Sequence, residues 1–255
     1  MTSQFYYSII VFIFGAVTGS FLNVCICRMP KDESVVSPPS HCPTCMYRIR
    51  WYDNIPLASY LLLRGRCRGC GIRIPIRYPL VELGNGLLAL ALFLRYSLSP
   101  TFAALFLFCS ALLVITCIDL EYRVIPNKIS LPGIVIGFVL SFFLPWPGWL
   151  NSLLGILAGG GSLLLVACAY EWLTGREGMG GGDIKLVAMM GAFLGWEAVP
   201  FIILAGSLAG LLAGGLPMLI RRRDSGQAIP FGPYLAFGAL FHLFLGLRIL
   251  NRYLA

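Results

Sequence analysis

Apolar stretches of roughly 18 to 24 residues recur along this chain, about the length a helix needs to cross a ~30 Å hydrocarbon core. Of its 255 residues, 58% are hydrophobic and 12% charged, too few charges to cover the surface of a soluble domain of this size. The fold class expected is an all-α polytopic membrane protein. Apolar runs and their breakers place eight candidate spans at about 5–27, 79–97, 100–118, 129–146, 150–173, 184–197, 199–220 and 232–250. The sixth is short, and its turn into the seventh is tight. The first stretch is too long for the apolar core of a cleavable signal peptide. It has no basic residue before it and no small-residue cleavage site after it, so a retained span is expected.

This divides the chain into a first transmembrane helix (1–27), a polar loop domain (28–78) and a membrane-embedded domain of about seven helices (79–255). With the N-terminus outside, the inner segments are 28–78, 119–128, 174–185 and 221–227. They hold all nineteen Lys and Arg residues except Arg95, Arg248 and Arg252. By the positive-inside rule these segments face the cytosol. The net charge of +8 thus answers to topology and anionic lipid, and no nucleic-acid partner is expected.

The orientation has a chemical consequence. Asp119 ends the third span and Asp183 begins the sixth, so two carboxylates 64 positions apart come to the same face of the membrane. Each has a plain structural reading. Asp183, after Gly180, Gly181 and Gly182, could be a helix N-cap, and Asp119 lies where a polar loop begins. Two details favour chemistry. A carboxylate at a helix C-terminus opposes the macrodipole, and a glycine run permits close backbone approach to a ligand, which capping does not require. Carboxylates within hydrogen-bond reach share a proton; one then activates water while the other acts as acid, the chemistry of an aspartyl peptidase.

Four of the nine cysteines form two C-x₂-C pairs, Cys42/Cys45 and Cys67/Cys70. Paired knuckles of this kind suit a four-thiolate zinc site, which is coordinatively filled and therefore structural. A redox dithiol and an iron–sulfur ligand set are the alternatives. On the cytosolic side disulfides are disfavoured. Cys25, Cys27, Cys109, Cys117 and Cys168 read as packing residues in spans, His41 as a solvated loop residue, and His242 as a packed or helix-bonded one. Glu82 and Asn85, one turn apart, suit either a polar cavity or a helix–helix hydrogen bond.

The ordered motifs run nearly end to end. They are Gly19-Ser20-Phe21-Leu22-Asn23-Val24, the two cysteine pairs, Trp51-Tyr52-Asp53-Asn54-Ile55-Pro56 and Arg77-Tyr78-Pro79-Leu80-Val81-Glu82. Then come Ile118-Asp119-Leu120 with Ile125-Pro126-Asn127, Gly178-Met179-Gly180-Gly181-Gly182-Asp183-Ile184-Lys185, and Ile229-Pro230-Phe231-Gly232-Pro233. Together they resemble the type IV prepilin peptidase family of type IV pili and type II secretion. The resemblance implies an endopeptidase that removes a short basic leader from pilin-like or pseudopilin precursors at the cytosolic face of the bacterial inner membrane. It implies Asp119 and Asp183 as the catalytic pair, the second in the G-x-G-D signature shared with presenilin-type proteases. Gly180, Gly182, Lys185, Glu82 and Asn23 become substrate-side or supporting positions. Because the long cysteine-bearing loop is present, the resemblance also implies N-methylation of the new N-terminal residue with S-adenosylmethionine. No glycine-rich nucleotide loop locates that donor.

A transporter or channel would also use paired acids and broken helices, but these aspartates lie at the surface and no inverted repeat is evident. A zinc-stabilised membrane scaffold without chemistry is the other alternative. No H-E-x-x-H of a zinc protease occurs.

Overall fold

The computed structural model describes residues 2–175, 180–215 and 230–246. Gly178, Met179 and Ile229 of the motifs, and Arg176, Arg221, Arg222, Arg223, Arg248 and Arg252 of the charge argument, lie outside the described residues. Those described are mostly helical, with no β-strand beyond two isolated bridges. The main helices are α1 (Thr2–Arg28), α2 (Ala58–Leu62), α3 (Arg77–Tyr96), α4 (Pro100–Tyr122), α5 (Asn127–Leu140), α6 (Trp149–Thr174), α7 (Gly181–Leu194), α8 (Ala198–Gly210) and α9 (Gly232–Phe241). Among the described residues, four helices are long and apolar enough to cross a membrane: α1, α3, α4 and α6. The other apolar stretches form helices of ten to fourteen residues, some prolonged by a π-helical turn.

Two of the expected spans change length for visible reasons. The stretch placed at 129–146 ends as α5 at Leu140, and Pro145 and Pro147 disfavour helix at Leu144 and Trp146 beyond it. The stretch placed at 100–118 continues one turn further, to Tyr122. It starts at Pro100, a favoured first helical residue, with the Ser99 hydroxyl accepting the Phe102 N–H at 3.2 Å as its cap.

The chain divides into two compact units, 1–114 and 115–255, with α4 crossing the boundary. In the first unit α1 lies against α3, and small residues bring the two backbones together. A Cβ on Gly15 would stand 2.6 Å from the Cβ of Ala89, and one on Gly19 2.8 Å from the Cα of Glu82. Dispersion and interhelical hydrogen bonds hold such helices where lipid removes the hydrophobic drive. Here Asn85 donates to the Gly15 carbonyl at 2.8 Å and accepts from the Ser110 hydroxyl at 2.9 Å. The outward face of α1 leaves Ile10, Ile13, Phe14 and Val17 exposed, as a lipid-facing helix would.

In the second unit α7 is the central element. It packs against α5, α6, α8 and α9, and every residue from Leu186 to Leu194 is buried. A 14-residue helix rises only about 21 Å, and here its neighbours, rather than lipid, enclose it. Gly155 of α6 and Gly191 of α7 meet backbone to backbone, leaving no room for a Cβ on either. Beside them the Ser152 hydroxyl donates to the Ala192 carbonyl at 2.7 Å.

Candidate active site and metal centre

The second unit assembles the aspartates. Asp119 lies on the last full turn of α4 and is 5% exposed. Asp183 lies on the first turn of α7, whose N-cap is Gly180, and its own N–H reaches the Gly180 carbonyl at 3.1 Å. Asp183 is therefore not the N-cap that one sequence reading allowed. The two carboxylates are within reach of each other's charge. The start of α9 adds a backbone donor: the Gly232 N–H donates to Asp119 Oδ2 at 2.9 Å. A Cβ on Gly232 would stand 2.7 Å from that oxygen, so only glycine lets the backbone approach the carboxylate this closely.

The supporting residues of this unit have definite partners. Lys185 donates to Asn127 Oδ1 at 2.9 Å, tying α7 to the first residue of α5. Gly182 is needed by the protein itself, since a Cβ there would stand 2.9 Å from the Cβ of Ile125. Gly180 leaves more room, its nearest neighbour being Asp183 Oδ2 at 3.7 Å. The glycine run thus seats α7 against the 125–127 link and leaves open space beside Gly181. His242 is buried and packs on Phe201.

In the first unit the four cysteines come together, with their sulfurs within 4.8 Å of one another. Cys42 Sγ lies 3.9 Å from Cys70 Sγ, and Cys45 Sγ 3.9 Å from Cys67 Sγ. A tetrahedron of sulfurs each ~2.3 Å from a zinc ion has edges of about 3.8 Å, so the set fits. The backbone N–H groups of Cys45 and Thr44 lower the Cys42 thiol to about 6, with the Cys67 and Cys45 thiols adding to this. At Cys45 the N–H of Tyr47 lowers the thiol, but burial and the thiols of Cys70, Cys42 and Cys67 together outweigh it, to about 12. Such crowding resists full ionisation without a cation among the sulfurs. His41 is not in the cluster; its ring contacts the Pro39 carbonyl.

The loop also holds a repeat that sequence reading missed. The knuckles at 40–49 and 65–74 are the same structure offset by 25 positions. In each, the first cysteine's N–H bonds five residues ahead (Cys42 to Tyr47, Cys67 to Ile72). In each, a residue with positive φ follows the second cysteine, Met46 (58°) or Gly71 (73°). Ile49 to Ser40 and Ile74 to Gly65 close the two knuckles at 2.9 and 2.8 Å. The matched spacing of the cysteine pairs was the available signal. Arg68 of the second knuckle forks onto Asp53 with contacts of 2.7 to 3.1 Å.

Asn23 and Glu82 serve this unit's own architecture. Asn23 donates to the Tyr78 carbonyl at 3.1 Å, and Glu82 accepts the Leu57 N–H at 2.8 Å, holding a residue with φ of 60° in place. Asn85 makes the helix–helix bond, one of its two sequence readings. Of the cysteines read as packing residues, Cys25 and Cys109 are buried, whereas Cys27 contacts Arg77 and Tyr78.

Residues 13–96 match the bacterial peptidase A24 N-terminal domain, and residues 106–215 match the type IV leader peptidase family. A prepilin leader peptidase/N-methyltransferase of Pseudomonas putida is 36% identical over 91% of this chain and 88% of its own length. Proteins of the same description from Aeromonas hydrophila (39%; 97% and 94%) and Myxococcus xanthus (40%; 85% and 65%) are also similar. No solved structure matches.

Proposed function

The chain belongs to the type IV leader peptidase family, and on that footing we propose a membrane aspartyl endopeptidase that cuts the basic leader from prepilins or type II secretion pseudopilins. After cutting, the same enzyme methylates the new N-terminal amine. The observation that carries the peptidase reading is the placement of Asp119 and Asp183 within reach of each other's charge, the first fixed by the Gly232 N–H.

The chemistry follows from that placement. Carboxylates brought within hydrogen-bond reach on a substrate hold one proton between them. The ionised one takes a proton from water as it attacks the scissile carbonyl; the protonated one donates, first toward the carbonyl oxygen and then to the leaving amine. Asp119 is presented by α4 and Gly232, and Asp183 by the central helix α7. Lys185, through Asn127, keeps α7 registered on α5. Gly180 keeps a side chain away from the Asp183 carboxylate, and the space beside Gly181 is open.

In this reading the protein is an eight-span inner-membrane enzyme with its N-terminus in the periplasm and the dyad at the cytosolic face. The precursor's apolar N-terminal helix lies in the bilayer while its leader stays in the cytosol, which places the scissile bond at the interface. Cys42, Cys45, Cys67 and Cys70 hold a structural zinc ion that folds the loop. S-adenosylmethionine supplies the methyl group.

The test is to incubate purified protein with a prepilin and follow the product's mass. Loss of the leader is expected without the donor, and a further single methyl mass with it. An intact precursor in both reactions would contradict the reading.

A further inference from the structure

One stripe of α1 runs from the bilayer into a cavity. Ile10, Phe14, Val17, Phe21, Val24 and Arg28 recur at three- and four-residue spacing and so share one helix face. The early part of this stripe is the exposed, lipid-facing surface of α1. From Val17 onward it lines a cavity of about 560 Å³, walled on the other side by the loop segments 35–40 and 51–56. We propose that this cavity holds one anionic phospholipid of the surrounding bilayer, its phosphate on Arg28 and one acyl chain laid along Val24, Phe21 and Val17. The assignment is independent of the peptidase reading and needs only that α1 spans the membrane.

Dimensions and charge both suit that occupant. From Val17 to Arg28 the helix rises about 16 Å, roughly one leaflet of a ~30 Å hydrocarbon core. Arg28, in the last turn of α1, donates to the carbonyls of Ser34 (2.9 Å) and Pro38 (2.7 Å). Both partners are neutral and use two of a guanidinium's five N–H donors, so its charge and the other donors serve a phosphate. No acid lines the cavity; Glu82, which contacts Ser20, is turned to the Leu57 N–H. The ammonium of a zwitterionic lipid would therefore find no carboxylate here, which selects for a headgroup of net negative charge.

The loop wall distinguishes a lipid from a soluble phosphate. Val36 and Trp51 line it at 86% and 81% exposure. Apolar side chains this exposed suit headgroup level, where tryptophan is enriched, and not water. Asn54 accepts from the Ser20 hydroxyl at 3.4 Å and offers its amide to the lipid's ester region. A free phosphate compound would meet Arg28 and leave the apolar walls wet, whereas a phospholipid satisfies both. Because Arg28 also holds the Ser34 and Pro38 carbonyls, the bound lipid ties the cysteine-bearing loop to α1 at the membrane surface.

The experiment is native mass spectrometry of the full-length protein, delipidated in detergent and titrated with phosphatidylglycerol, phosphatidylethanolamine or glycerol phosphate. The site predicts one tightly held phosphatidylglycerol per chain, with phosphatidylethanolamine and glycerol phosphate each bound about tenfold more weakly or worse. Arg28→Gln should weaken phosphatidylglycerol by about tenfold or more, the loss expected of a charge-assisted hydrogen-bond pair. Asn54→Asp keeps the side chain's size, places an acid in the cavity and should weaken it as much. Arg48→Gln removes a charge from the same loop outside the cavity and should leave binding unchanged; the metal content of each variant reports its folding. Equal affinity for the two lipids, glycerol phosphate binding as tightly as the lipid, or an equal loss in Arg48→Gln overturns the site. So does wild-type affinity in both Arg28→Gln and Asn54→Asp. Displacement of the lipid by an equivalent of prepilin would give the cavity to the precursor's apolar helix instead, and overturns it too.

Discussion

Asp119 and Gly232, 113 residues apart in sequence, are joined by a 2.9 Å hydrogen bond from the glycine N–H to the carboxylate, and the missing side chain of Gly232 is what allows it. Gly232→Ala puts a Cβ 2.7 Å from Oδ2 and must turn the carboxylate away. A shift of about 1 Å at a reacting group costs on the order of 10²-fold in rate. Steady-state cleavage by this variant should show kcat reduced by about that factor and KM little changed, with thermal stability retained.

A proton-sharing pair fixes the shape of the pH dependence. At low pH both carboxyls are protonated and no base remains; at high pH both are ionised and no acid remains. The cleavage rate should therefore fall on both sides of a maximum, with two ionisations. A single ionisation on kcat/KM would contradict a shared proton.

Metal removal should act on the loop first. Purified protein should contain one zinc per chain by elemental analysis. Chelation, or Cys42→Ser with Cys45→Ser, should expose residues 29–76 to limited proteolysis. Methylation should fall at least as far as cleavage.

Met46 occupies the knuckle position that Gly71 fills in the second copy, at a φ of 58°. A left-handed non-glycine residue costs about 1–2 kcal/mol, and glycine's extra chain entropy returns about 0.5–1 of that. Met46→Gly should therefore stabilise the metal-bound loop by about 0.5–1 kcal/mol, read as slower proteolysis at fixed zinc, with cleavage unchanged.

The crossing of α6 and α7 admits no side chain at Gly155 or Gly191. Gly191→Leu should separate the helices and tilt Asp183 out of place. Thermal unfolding in detergent should drop by several degrees, and cleavage should be lost together with stability. Loss of cleavage without loss of stability would point to a different role for this glycine.

What the sequence disclosed depended on how local each signal was. Hydropathy is a property of contiguous residues, so the apolar stretches were legible, as was the cysteine set, whose spacing is itself the knuckle. The last turn of α4 was not, because Asp119 and Glu121 end the apolar run while the backbone continues as helix to Tyr122. Nor was the hydrogen bond from Gly232, which depends on where α9 comes to rest. The glycines before Asp183 were read as room for a ligand, and Gly182 proved to make room for Ile125. That contact is between side chain and backbone across a turn, and no spacing rule reports it.

The most direct test of the dyad replaces each aspartate in turn. Asp119→Asn and Asp183→Asn keep the size of the side chain and remove its ability to ionise. Each alone should lower the single-turnover rate of leader removal by at least ~10²-fold, while zinc content and S-adenosylmethionine binding remain at wild-type levels. Full cleavage by either variant would contradict the account.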